Sequence, residues 1–138
     1  MTRWRGLSGV FATLLLLPSP APAGEFCAAL EAFIAQAEPF ADATQCATAL
    51  GETGPSPYCF WRYELRAPEA QRAFDMLLSQ IQTCVGAKGP AADQDVNHPD
   101  TYTAHLFQTD QANLSLSLKD KSSLGETLIF LRASPRAE

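Results

Sequence analysis

The chain is 138 residues long, 46% hydrophobic and 18% charged, with 15 acidic against 10 basic side chains and a formal net charge of −5. That length supports one domain with a real core, which buries roughly two-thirds of the unfolded chain's surface. An acidic balance without a basic stripe argues against nucleic acid or anionic lipid as a partner, and makes a basic protein or a cation the better expectation.

The first predicted element is a leader. Arg3 and Arg5 precede the apolar run Gly6–Leu17, and Ala21-Pro22-Ala23 sets small residues where a signal peptidase reads them. The run is shorter than the roughly 20 apolar residues of a membrane-spanning helix. Residues 1–23 therefore read as a signal peptide cut between Ala23 and Gly24. Residues 24–138 are expected as one exported domain, periplasmic or secreted, with no stable membrane insertion. All four cysteines, Cys27, Cys46, Cys59 and Cys84, lie in it, and an even count in a small exported domain predicts two disulfides.

Residues 25–38 repeat Phe26, Leu30, Phe33, Ile34 and Ala37 at helical spacing and stop before Pro39. Residues 43–50 and 57–65 read as a hairpin around Gly51-Glu52-Thr53-Gly54. Counting outward from Leu50 opposite Pro55 sets Cys46 opposite Cys59, at a separation that a disulfide spans. A second helix opens at Pro68 and stops at Gly86, with a stripe of Ala70, Phe74, Leu77, Leu78, Ile81 and Cys84. If the helices are antiparallel, Cys27 meets Cys84. Neither pair has the C-x-x-C spacing of redox chemistry.

Residues 86–100 lack periodicity and read as a long loop. Strand patterns follow at 102–108, 113–119 and 126–132. In the second of them, Leu114, Leu116 and Leu118 alternate with Ser115, Ser117 and Lys119, as in a strand wet on one face. A turn centred between Ser122 and Ser123 sets Leu114 against Leu131, Leu116 against Ile129 and Leu118 against Thr127. Residues 133–138 read as a frayed tail. The predicted fold class is α+β: two helices packed on one face of an antiparallel sheet of about five strands, in the order α-β-β-α-β-β-β, with two disulfides.

Two places are candidates for function. The sheet face away from the helices displays Tyr58 and Phe60 beside Ala47 and Ser56, with Leu128 and Phe130 projecting the same way, and clustered aromatics mark partner surfaces. The 86–100 loop offers the other. Asp93, Asp95 and Asn97 alternate as calcium ligands do, and Asp100 adds an oxygen, but His98 stands where the calcium loop needs glycine and Ala104 where it needs glutamate. His98-Pro99-Asp100 spells the J-domain tripeptide without the basic helix that it caps there. His98 and His105, the two histidines of the chain, with Asp95 and Asp100 nearby, also have the donors of a zinc or acid–base site. His105 lies on a strand with its side chain opposite Tyr102 and Leu106.

Partner contacts are thus expected from Tyr58, Phe60, Asn97, His98 and Asp100, and metal contacts from Asp93, Asp95, Asn97 and Asp100, with calcium the ion these oxygens suit and no other cofactor expected. There is no G-x-S-x-G elbow, and no thiol is expected to be free. The resulting expectation is a non-catalytic exported module of a bacterial-type cell envelope, binding a protein or small ligand through the open sheet face or the 86–100 loop. The alternatives are a metal-binding protein or hydrolase built on that loop, and an inhibitor of a basic extracellular hydrolase.

Overall fold

The computed structural model describes residues 23–86 and 102–136. The expected leader up to residue 22 and the loop residues 87–100 lie outside them. Helices α1 (Ala23–Gln36) and α2 (Pro68–Val85) pack on one face of a five-stranded antiparallel sheet. Its strands are β1 (Gln45–Gly51), β2 (Gly54–Glu64), β3 (Tyr102–Gln108), β4 (Ala112–Lys121) and β5 (Glu126–Pro135), side by side in the order β1-β2-β5-β4-β3. The α+β class, the element order and both disulfides agree with the sequence reading.

In α1, Leu30 and Phe33 turn into the core. The helix stops two residues earlier than its periodicity predicts, because Ala37 takes a left-handed conformation (φ 55°) and its N–H bonds to Phe33 O at 3.1 Å. Phe40, in the connection to β1, then packs its ring 5.3 Å from Phe33, 5.8 Å from Phe26 and 5.9 Å from Trp61. It joins helix and sheet. Helix α2 buries Ala70, Phe74 and Ile81 and ends at Gly86 (φ 87°), whose N–H reaches Gln82 O at 2.9 Å. The two helices run antiparallel, and Cys27 and Cys84 are bridged with Cα atoms 5.3 Å apart.

The β1–β2 hairpin has the predicted register, Leu50 opposite Pro55 and Cys46 bonded to Cys59. Two prolines in β2 need an explanation, since proline donates no ladder hydrogen bond. The Cys46–Cys59 pair is narrow, with Cα atoms 4.1 Å apart, which identifies a non-hydrogen-bonded pair. Pro57 and Pro55, two and four residues away, take the same kind of position against β1, so that ladder loses nothing. Toward β5, Pro57 leaves Ala133 O without its N–H donor. The Ser56 hydroxyl supplies one instead, at 2.7 Å.

The β4–β5 register differs from the expected one by two residues. Leu114 faces Ala133, Leu116 faces Leu131 and Leu118 faces Ile129. The connection is not a tight turn but a short 3-10 segment, Ser122–Leu124, closed by Gly125 at φ 66°. An even shift leaves every side chain on its predicted face. β5 also continues through Ala133, Ser134 and Pro135, where the sequence reading places a frayed tail. Pairing with Ala112–Leu114 holds these residues, and Ala133 is buried.

On the helix side the sheet contributes Trp61, Phe107, Leu114, Leu116, Ile129 and Leu131 to one core with Leu30, Phe33, Phe74 and Ile81. Burying each large side chain contributes about 1.5–3 kcal/mol. No helix among the described residues is long and apolar enough to cross a membrane.

Candidate binding face

The strand order assembles the opposite face. β2 and β5 lie side by side, with Phe60 opposite Phe130, Tyr58 opposite Arg132 and Arg62 opposite Leu128. Tyr58 stacks diagonally on Phe130, centroids 5.1 Å apart and planes within 17°. The Arg62 guanidinium lies 5.5 Å from the centre of the Phe60 ring, and that of Arg132 lies 5.6 Å from the Phe130 ring. Each of these contacts is worth about 0.5–1 kcal/mol at an exposed site. Glu126 holds Arg62 through a 2.8 Å ion pair. The result is an aromatic triad, half-buried, gripped by two arginines.

Alternation puts Lys119 and Lys121 of β4 on the same face, opposite Leu128 and Glu126 of β5. The face therefore carries Arg62, Lys119, Lys121 and Arg132 against Glu64 and Glu126. The helical layer is the reverse: Glu25, Glu31, Glu69 and Asp75 against Arg72. The sequence order hides this segregation, because the cations sit on three separate strands. The face is also less open than predicted. Ser117 is 8% exposed and Ala104 is fully buried, so β4 is not simply wet on its outer side.

Other candidates fare differently. Asp93, Asp95, Asn97, His98 and Asp100 lie outside the described residues. His105 turns to the helix side, opposite in direction to Tyr102 and Leu106 as expected, with its ring 5.9 Å from that of Phe74. All four cysteines are oxidised, leaving no thiol as a nucleophile. Among the described residues no three His, Cys, Asp or Glu side chains are grouped to hold a metal. One feature escaped the sequence reading: an open groove of about 690 Å³ between α1, the end of α2 and the β3–β4 turn, walled by Leu30, Ile34 and the Cys27–Cys84 bridge and rimmed by Glu31 and Asp110. Its walls come from three elements distant in sequence, so no local pattern announces it.

Comparison with family models, curated proteins and solved structures finds no match for this chain. Two closed disulfides are compatible with an exported small protein and point to folding in an oxidising compartment.

Proposed function

We propose that this chain is a non-catalytic binding or accessory module of the cell envelope, exported to the periplasm and cut after Ala23, which captures a protein partner on the β2–β5 half of its sheet face. The observation that carries the reading is the Tyr58–Phe60–Phe130 cluster with Arg62 and Arg132 against its rings. Tyrosine, phenylalanine and arginine are the residues that binding interfaces concentrate. Net charge alone favours a basic partner. The local cations favour an acidic one, a carboxylate-bearing surface that meets the arginines while an apolar group covers the rings.

The test is crosslinking and affinity capture from an envelope extract with wild-type protein and with the double variant Tyr58→Ser/Phe60→Ser. The wild type is expected to retain a partner, less so as salt is raised. The variant is expected to lose that partner while keeping its disulfides and its melting transition. Undiminished capture by the folded variant overturns the proposal.

A further inference from the structure

β1 closes the sheet on one side, and β2 is its only strand neighbour among the described residues. The narrow Cys46–Cys59 pair determines which backbone groups are left over. Residues in such pairs turn their N–H and C=O away from the neighbouring strand. Cys46, Thr48 and Leu50 therefore present three N–H and three C=O groups outward, two residues apart. Among the described residues none of them takes part in the turn and loop hydrogen bonds.

Sheet edges of this length are usually blunted by a charge, a proline, a bulge or a covering segment. Gln45–Gly51 contains no charged residue and no proline, pairs with β2 through seven consecutive positions, and is mostly exposed. Leu50 stands 91% exposed. This is an edge prepared for another strand.

We propose that two copies of the chain pair through β1, antiparallel about a two-fold axis at Thr48, to form one continuous sheet. In that register the N–H and C=O of Thr48 exchange bonds with Thr48 of the second copy. Cys46 bonds with Leu50 of the second copy, and Leu50 with its Cys46. All six outward groups are satisfied, whereas a shifted register leaves some of them open. The side chains agree. Leu50 lands against the half-buried Cys46–Cys59 bridge of the second copy, and on the other face Ala47 meets Ala49. Charge agrees too: copies of an acidic chain repel, and β1 is a strand along which they meet with no like charges opposed. The contact is isologous, so it closes at two. It uses the sheet edge and not the aromatic face.

Sedimentation over a concentration series tests the pairing, on wild type, Thr48→Pro and Leu50→Lys. Thr48→Pro removes the central outward N–H without touching a bond to β2. Leu50→Lys places two charges beside the seam through a side chain already in solvent, so it serves even if the proline variant fails to fold. Wild type is expected to dimerise with concentration, and each variant to weaken association by about tenfold or more. The Thr48 and Leu50 amides are expected to exchange more slowly as wild type is concentrated. Wild type that stays monomeric to its solubility limit, or a dimer indifferent to Leu50→Lys, overturns the proposal.

Discussion

Thr127 Oγ1 donates a 2.7 Å hydrogen bond to Asp120 Oδ1, its direct partner across the β4–β5 ladder. The same hydroxyl accepts the Arg66 N–H at 2.8 Å, and the Arg66 Nε reaches Asp120 Oδ2 at 3.3 Å. One threonine therefore ties the β2–α2 corner to strands β4 and β5, at a place where both it and the aspartate are buried. Thr127→Val keeps the shape and deletes the hydroxyl, leaving the carboxylate with one fewer donor. It is expected to cost about 1–3 kcal/mol in urea unfolding, with Thr127→Ser recovering most of the loss.

Ala37 ends α1 at φ 55°, a conformation that disfavours any residue with a Cβ. Its exposed side chain adds no burial in return. Ala37→Gly is expected to stabilise the protein by about 0.5–1 kcal/mol, while Ala35→Gly, within the last turn of the helix, should destabilise it by a similar amount. Thermal melts of the two variants against wild type read the opposite signs.

The two disulfides close loops of different length, with sequence separations of 13 for Cys46–Cys59 and 57 for Cys27–Cys84. Chain entropy makes them worth about 3 and about 4 kcal/mol respectively. Replacing Cys27 and Cys84 together by alanine is therefore expected to lower the urea midpoint more than replacing Cys46 and Cys59.

Tyr63 responds to alkaline pH. Burial, and after it the negative charge of Asp42, raise its phenol above the usual 10.0. The unfolded chain thus releases this proton first. The contribution is fully present below about pH 10 and is lost as pH rises through the folded value. Unfolding midpoints of wild type and Tyr63→Phe are expected to change in parallel up to that pH, and wild type to fall faster above it. Asp42→Asn should narrow the difference.

What was legible followed from periodicity. The hairpin register needed only the turn Gly51–Gly54 and a count of four outward from Leu50, and it delivered Cys46 to Cys59. Helical spacing then left Cys27 for Cys84. Alternation also placed Tyr58, Phe60, Leu128 and Phe130 on one face. What periodicity does not carry is the geometry of connections and the order of strands. The β4–β5 register missed by two because a 3-10 segment and Gly125 occupy the turn, and no alternation reports loop length. Phe40 belongs to no periodic element, yet it bridges α1 to Trp61. Arg62, Lys119 and Arg132 share a face because β5 lies between β2 and β4, a neighbour relation that local pattern does not encode.

The prolines of β2 bear on how the chain oxidises. Because Pro55 and Pro57 have no N–H to give, β2 can meet β1 only through the edge that carries the N–H groups of Ser56, Tyr58 and Phe60. On that edge a slip of β1 by one residue would turn β1 over and swing Cys46 to the side away from Cys59. A slip of two would part the sulfurs by about 7 Å along the strand. Two imino acids thus decide which edge of β2 receives β1, and the register does the rest: when an oxidant reaches the young hairpin, position 46 has one partner within reach, and the correct one.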